Sequence, residues 1–144
     1  MTDSKNIKES NPKDALGARK PPLSTLSMPV LFECGNAMLE GACKYGRHNY
    51  RVIGVRASVY FDAAHRHLAA YWEGEDIDPD SGVHHVTKAI ATLMVLRDAM
   101  LQDKVHDDRP PRSQEDWMES AQESTDEVLA RYPDPLPPYT EEGQ

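Results

Sequence analysis

The chain has 144 residues but no long apolar run and no basic stripe, and each absence excludes a class of function. No stretch approaches the roughly 18 apolar residues of a membrane-spanning helix, and the polar N-terminus lacks the apolar region of a signal peptide. Binding to duplex DNA or RNA needs lysines and arginines that replace the counterions of the phosphates. We therefore expect a cytoplasmic protein that binds neither membranes nor nucleic acid directly.

Cysteines and the common catalytic motifs are also scarce. Cys34 and Cys43 lie nine residues apart in a predicted helix, a spacing that suits neither a disulfide nor a zinc knuckle, so we expect reduced thiols in the core. The sequence contains no His-Glu-x-x-His motif, nucleophile elbow, P-loop or dinucleotide-binding fingerprint. Serine and thiol hydrolase mechanisms therefore have no support.

Charge divides the chain into parts. Residues 103–144 hold 12 acidic and 4 basic residues, whereas residues 1–102 hold 12 of each, so the C-terminal part carries the whole net charge of −8. With 39% apolar residues the chain can bury one ordinary core. We expect an extended arm without helix over residues 1–26, a helical domain over 27–102, and an acidic helix and tail over 103–144. Residues 131–143 are expected to be disordered or to lie along a partner.

Apolar periodicity predicts an all-α helical bundle. The first helix follows Ser27 and covers residues 28–45, a turn at 48–51 leads to a second helix over 56–72, and Ser81 is expected to cap a third that reaches Leu101. Ser113 predicts a peripheral fourth helix over 114–131. We expect the second and third helices to pair antiparallel with the first across them. So thin a core leaves an apolar face that a second copy would bury, which predicts a homodimer or a tetramer of dimers.

The densest chemistry lies between the second and third predicted helices. Five carboxylates fall within the eight residues from Glu73 to Asp80, with His65 and His67 upstream and His84 and His85 downstream. Folding the flanking helices together would gather these groups, and mixed oxygen and imidazole ligands suit Mg²⁺ or Mn²⁺. The cluster therefore indicates metal-assisted phosphate chemistry, because metal ions would neutralise both the acids and a bound nucleotide.

Two other interpretations of this segment were weighed. A calcium-binding EF-hand loop is excluded because Ser81 stands where glycine is needed and Thr87 where a bidentate glutamate is needed. A solvated loop that merely ends a helix remains an alternative, and it is as well supported as a metal site.

Cationic and polar residues for a phosphate or nucleoside lie nearby in the sequence. Lys44, Tyr45 and Asn49 stand at the end of the first predicted helix, where they can form a helix C-cap, contact a ligand, or do both. Arg51 and Arg66 are further candidates for phosphate contact.

Several spaced motifs together resemble a known family over about residues 10–102. They are Asn11-Pro-Lys-Asp14, Gly41-Ala-x-Lys44-Tyr-Gly46 with Asn49-Tyr50, Ala64-x-Arg66-His67-Leu68 with Trp72, Gly74-Glu-Asp76, and Asp78-x-x-Ser81-Gly82-x-x-His85. This order resembles the phage dATP/dGTP diphosphohydrolase family, which is related to the all-α MazG-like nucleotide pyrophosphohydrolases, and the nearest likeness within it is to MazZ-like members.

The resemblance implies hydrolysis of a nucleoside triphosphate to its monophosphate and pyrophosphate with Mg²⁺ or Mn²⁺. For MazZ-like members the substrate would be dGTP or GTP, possibly dATP, and the monophosphate would supply 2-aminoadenine synthesis in a phage. The roles that we assign are catalysis by Glu75, Asp78, Lys44 and Arg66; substrate binding by Lys44, Tyr45, Asn49, Arg51 and Arg66; and metal binding by His67, Glu75, Asp76, Asp78 and His85.

The chain departs from the MazG-like pattern at the acidic box. Such enzymes carry Glu-Glu-x-x-Glu and Glu-x-x-Asp on successive helices, whereas the corresponding places here begin at Asp62 and run from His85 to Lys88. A near-copy over residues 115–126 lies on one predicted helix and is treated as coincidence. Either the ligands named above hold the metals, or Glu33 and Glu40 contribute. Two other functions therefore stay open, a non-catalytic regulatory module that binds a metal-nucleotide complex and a small structural phage protein.

Overall fold

The computed structural model describes residues 11–142. The described residues divide into two compact units, and the boundary along the chain lies between Arg109 and Pro110. The first ten residues of the predicted N-terminal arm, and residues 143–144, lie outside the described residues.

The first unit is helical, which confirms the all-α expectation. In chain order it contains α1 (Pro12–Gly17), a short 3-10 helix (Leu23–Thr25), α2 (Met28–Tyr45), α3 (Asn49–Val52), β1 (Val55–Arg56), α4 (Ala57–Trp72), α5 (His85–Leu101) and β2 (Val105–His106). Within residues 11–142, none of the helices is both long and apolar enough to cross a membrane.

The three predicted helices of the core are confirmed as α2, α4 and α5. Gly46, which follows α2, has a φ of 91° and donates its N–H to the carbonyl of Ala42, so a glycine ends this helix at its predicted last residue. Gly74, just beyond α4, has a φ of 103°. Glycine adopts positive φ without a steric penalty, which explains why both helices end where they do.

The predicted cap of the third helix is wrong. The Nδ1 atom of His84 accepts a hydrogen bond from the N–H of Val86 at 3.0 Å, so the helix begins at His85. The hydroxyl of Ser81 instead donates to the carboxylate of Asp78 and accepts from the N–H of Val83. Ser81 therefore stabilises a turn within the acidic loop, and that local use competes with helix capping.

Two short α-helices and the 3-10 helix occur where none was predicted. Within the supposed arm, the side chain of Asn11 accepts a hydrogen bond from the N–H of Lys13, and Pro12 stands in the first turn, which together start α1. The predicted turn at residues 48–51 continues as the single turn of α3, after His48 takes a left-handed φ of 65°. Helices of three to six residues carry too little periodicity to be predicted from the sequence.

Helices α4 and α5 pack antiparallel, and contacts at both ends fix their alignment. At one end β1 and β2 form a two-residue parallel bridge, in which the N–H of Val55 reaches the carbonyl of Lys104 at 2.9 Å. There the carboxylate of Asp108 accepts hydrogen bonds from the backbone N–H and the hydroxyl of Ser58. This carboxylate satisfies an otherwise unpaired N–H in the first turn of α4 and complements the helix dipole.

The buried core of the first unit consists of small residues. Its buried apolar members are Cys34, Ala37, Val55, Ala57, Ala64, Ala89, Ala91 and Ala99. Among residues 11–142 no large side chain is completely buried. Cys34 lies in the core as predicted, and burial raises the pKa of its thiol, but the expectation is wrong for Cys43, which is exposed. The helices thus approach closely, while most of their larger apolar side chains remain on the surface.

The second unit contains α6 (Trp117–Arg131), which confirms a helix near the predicted range of 114–131. The helix begins three residues late because Ser113 does not cap it, and Asp116 precedes it without a side-chain capping bond. Its apolar side chains, such as Trp117 and Leu129, are exposed.

Gly54 provides a test of the link between β1 and β2. Its φ is 85°, and a Cβ built there would lie 2.7 Å from the carbonyl oxygen of Lys104. We predict that Gly54→Ala lowers the free energy of unfolding by about 2 kcal/mol or more, from left-handed strain plus the clash. Gly74→Ala is the control, because its φ is similarly positive but the added Cβ meets nothing within 4 Å. If Gly54→Ala and Gly74→Ala lost equal free energies of unfolding in urea denaturation, the contact between Gly54 and Lys104 would not matter for stability.

Candidate active site

The acidic loop, residues 73–84, folds back so that its two ends meet at the start of α5. The N–H of Asp78 donates to the carbonyl of Val83 at 2.9 Å, and the N–H of His85 donates to the carbonyl of Asp76 at 2.8 Å. These backbone bonds hold the acidic segment against the first turn of α5. The sequence prediction that folding gathers these acids and histidines around one place is therefore met in part.

His85 links three parts of the site. Its side chain is 6% exposed, its Nδ1 atom lies 2.9 Å from Nδ1 of His67 on α4, and its Nε2 atom lies 2.7 Å from Oε1 of Glu75. A carboxylate can only accept a hydrogen bond, so we assign the proton to Nε2 of His85. Nδ1 of His85 then accepts from Nδ1–H of His67, which leaves the lone pair of the His67 Nε2 atom available.

The local electrostatics favour a neutral His67 beside an ionised Asp78. Burial lowers the pKa of His67 below its ordinary value, although the charge of Asp78 opposes this effect. For Asp78 burial is the largest influence and would raise the pKa. Hydrogen bonds from Ser81 and from the N–H of Asp80, together with the two histidines, outweigh burial and leave the pKa lowered. A base and an acceptor anion thus stand side by side at neutral pH.

Two lysines share one carboxylate next to this cluster. Glu40 on α2 lies 2.5 Å from the Nζ atom of Lys44 and 2.8 Å from that of Lys88 on α5, and Lys44 also reaches Asp80 at 2.8 Å. The hydrogen bonds that Lys44 donates to Asp80 and Glu40 raise the pKa of Lys44, and those that Glu40 accepts from Lys44 and Lys88 lower the pKa of Glu40. The chain Lys88–Glu40–Lys44–Asp80 therefore connects α5, α2 and the acidic loop through alternating charges.

The remaining predicted site residues lie at different distances from this cluster. Tyr45 and Asn49 line a cavity of about 350 Å³ next to α2, and Arg66 is exposed on α4. Arg51 is instead held in a bidentate ion pair with Asp98, at 2.7 and 3.0 Å. Because Asp98 follows His85 by thirteen residues on α5, this pair lies roughly 20 Å along the helix from the histidines.

The donors of the predicted metal site suit a hard divalent ion, but they do not enclose one as they stand. Across residues 11–142, no group of three or more His, Cys, Asp or Glu side chains is placed to hold a metal ion. Both ring nitrogens of His85 are already hydrogen-bonded, and Asp76 is 73% exposed, 3.8 Å from His84. Metal binding would therefore need side-chain rotation or additional ligands from a substrate, and the five-ligand site stays a prediction.

Sequence reasoning missed Lys88 as a member of the site. It regarded Lys88 only as a departure from the MazG-like acidic box, whereas the side chain is 17% exposed and paired with Glu40. The spacing of Glu40 and Lys44, four residues apart on a helix, could have predicted one half of the network. The other half joins residues 48 apart, and no local pattern signals such a pairing. The near-copy of the acidic box lies in α6 and its preceding turn, in the second unit.

Comparisons with known proteins agree with the motif order. A family model described as dATP/dGTP diphosphohydrolase, N-terminal, matches residues 10–109. Over 90 residues the chain is 30% identical to a dATP/dGTP diphosphohydrolase of Salmonella phage PMBT28, a match that covers 62% of this chain and 30% of that protein. The chain thus spans less than a third of this relative's length. No solved structure matches the chain. Because the family model covers more than half of the chain, the protein belongs to the dATP/dGTP diphosphohydrolase family.

Proposed function

We propose that the protein hydrolyses a purine deoxynucleoside triphosphate to the monophosphate and pyrophosphate, with Mg²⁺ or Mn²⁺. The observation that carries the proposal is the folded acidic loop, which sets Glu75 and Asp78 beside His67, His85 and the charged end of Lys44. This arrangement lies inside the segment that matches the family.

Some side chains of the site would bind phosphate, and others would accept a proton. Lys44 stays protonated and lies at the loop, where it can offset charge that develops on phosphate oxygens, and exposed Arg66 can do the same from α4. The one lone pair left on the His67 Nε2 atom can serve either as a metal ligand or as the acceptor of a proton from an attacking water, and the bonds of His85 to His67 and Glu75 orient the ring. Tyr45 and Asn49 would contact the sugar or base, since both line the cavity beside α2.

A divalent ion would be held by side chains from the predicted set of His67, Glu75, Asp76, Asp78 and His85. When bound, such an ion supplies Lewis-acid stabilisation of the phosphates and lowers the pKa of a bound water. Glu75 and Asp76 are exposed enough to rotate toward an incoming metal-nucleotide complex, whereas Asp78 is held by Ser81.

We further propose dGTP or GTP as the preferred substrate, with dATP as the second candidate, and release of a monophosphate that supplies 2-aminoadenine synthesis in a phage-infected cell. The described relative is named for both dATP and dGTP. The reaction would take place in the cytoplasm. Direct binding to nucleic acid is not expected, since the chain has a net negative charge.

A non-catalytic metal-nucleotide-binding module is the second candidate. It is favoured by one observation: α5 presents His85 and Lys88 where MazG-like enzymes carry an acidic pair, which removes two negative ligands from the catalytic metals. Such a protein would bind the nucleotide complex but leave the phosphoanhydride bond intact.

One assay separates these functions. We predict that incubation with dGTP and Mn²⁺ releases dGMP and pyrophosphate in equal amounts, measured by ion-exchange chromatography. Each of the four dNTPs and GTP should be compared, with Mg²⁺ in a parallel series. Binding without products would support the module, and release of single phosphates in succession would contradict pyrophosphohydrolysis.

Asp78 is the acid whose replacement is most diagnostic. We predict that Asp78→Asn reduces pyrophosphate release by about 100-fold or more, because a neutral amide is a poor ligand for a hard cation. Folding should change little, since the amide oxygen can still accept a hydrogen bond from Ser81. Asp103→Asn, which replaces an exposed acid beyond α5 and outside the loop, is the matched control. Unchanged turnover in Asp78→Asn, with Mn²⁺ binding intact by calorimetry, would refute its role as a ligand.

We propose that the protein acts as a homodimer or as a tetramer built from dimers. Phe61, Leu68 and Trp72 follow one stripe of α4 at intervals of seven and four residues, and they are 59%, 44% and 83% exposed. Phe32 and Leu39 form a similar exposed stripe on α2. Large apolar faces of this kind are rare on monomers, and a second copy would bury them.

Multi-angle light scattering at micromolar concentration should therefore report a dimer or a tetramer. Leu68→Lys should shift the protein toward the monomer, because the charge would be buried without a partner. Asp62→Lys, about a quarter turn away on α4, should leave the assembly unchanged. A monomeric wild-type protein would contradict this proposal.

A further inference from the structure

A half-open cavity of the first unit lies between α2, the α2–α3 turn and α5. Its volume is about 350 Å³, which lies within the range of roughly 300–1,000 Å³ that small-molecule sites occupy. Two of its lining residues, Tyr45 and Asn49, were predicted to contact a substrate, but the cavity itself and its other walls have no assigned role.

The walls combine flat rings with a few polar groups. Tyr45 and Tyr60 supply aromatic surfaces, and Asn49, Lys88 and Thr92 supply hydrogen-bonding groups. Burial raises the pKa of Tyr60, so its phenol stays neutral and can both donate and accept. Aromatic rings with a few convergent polar groups are the composition expected for a site that binds a planar heterocycle.

Two glycines leave the space open. Gly35 and Gly41 line the cavity from within α2, and a Cβ added at either position would meet no atom within 4 Å. Each glycine costs about 1 kcal/mol of helix stability relative to alanine. A helix built only for packing would gain from side chains at these positions, so the vacant volume is maintained against local stability.

Lys88 joins the cavity to the candidate active site. It lines the cavity and pairs with Glu40, which in turn contacts Lys44 beside the acidic loop. Lys88 also follows His85 by three residues on α5, so the two side chains share one face of the helix. A ligand that filled the cavity and carried a chain of phosphates would therefore direct that chain past Lys88 toward the histidines and acids.

We propose that this cavity binds the purine nucleoside portion of the substrate, with the base against Tyr45 and Tyr60 and the phosphates leaving past Lys88. This inference rests on the proposed function, because it places the nucleoside of the same triphosphate. It assigns binding roles to Tyr60, Lys88 and Thr92 and a volume-determining role to Gly35 and Gly41.

The test fills the cavity without disturbing the phosphate site. Gly41→Leu should occupy part of the open volume and should fold at least as stably as wild type, since leucine is a good helix former. We expect binding of 2′-deoxyguanosine, which carries no phosphate, to weaken by about tenfold or more in calorimetry. Inorganic tripolyphosphate needs no nucleoside pocket. Its dissociation constant for Gly41→Leu should therefore stay within about twofold of the wild-type value.

Asn36→Leu is the matched control, because Asn36 is an exposed residue of α2 outside the cavity lining. It should leave both measurements unchanged. If Gly41→Leu failed to fold, Gly35→Leu would fill the cavity from another turn of the same helix, with the same expected result.

The outcomes separate this inference from the proposed function. If wild type releases no pyrophosphate from any nucleotide, the proposed function fails. The role of the cavity is still tested in that case, because wild type should bind deoxyguanosine more tightly than Gly41→Leu does. If wild type hydrolyses dGTP but Gly41→Leu keeps the wild-type KM and deoxyguanosine affinity, the cavity is not the nucleoside site. Equal loss of deoxyguanosine and tripolyphosphate binding in Gly41→Leu would also contradict the nucleoside-binding role of the cavity, because the two ligands would then share one subsite.

Discussion

The return of the acidic loop onto the first turn of α5 is the constraint on which the candidate site depends. Five carboxylates within eight residues repel one another, so the segment would extend into water unless other groups held it. Backbone bonds from His85 to Asp76 and from Asp78 to Val83 supply that restraint, and His85 adds a side-chain bond to Glu75. The buried histidine therefore has a structural role that precedes any catalytic one, because it fixes where the acids lie.

Charge compensation explains how this acidic site can coexist with a core of small residues. Glu40 is largely buried, and a single lysine would neutralise it, yet both Lys44 and Lys88 contact it. The surplus positive charge faces the loop, where Asp80 takes up part of it. A triphosphate could replace Asp80 as the partner of Lys44 at small electrostatic cost, since one anion would exchange for another.

Local patterns in the sequence predict the long helices, but they do not predict contacts between distant segments. Apolar spacing over α2, α4 and α5 repeats for four or more turns, so the sequence predicts their bounds to within three residues. Caps were less predictable, because Ser81 can hydrogen-bond to a turn or to a helix and the choice depends on Asp78. Two-residue strands and the contact of Glu40 with Lys88 join distant segments, and neither leaves a periodic signal in one sequence. The histidine and acid cluster could be proposed from its flanking helices, but the hydrogen bonds of His85 could not.

Small residues connect the fold, the cavity and the exposed apolar faces. Alanines at the helix contacts let α2, α4 and α5 approach closely, which leaves larger side chains such as Phe32 and Phe61 outside. On α2 the cavity and the exposed apolar stripe are neighbours, since Leu39 belongs to the stripe and also lines the cavity. A second copy that covered this stripe would therefore border the cavity. Association would then stabilise a unit whose inner volume is kept for a ligand rather than for packing.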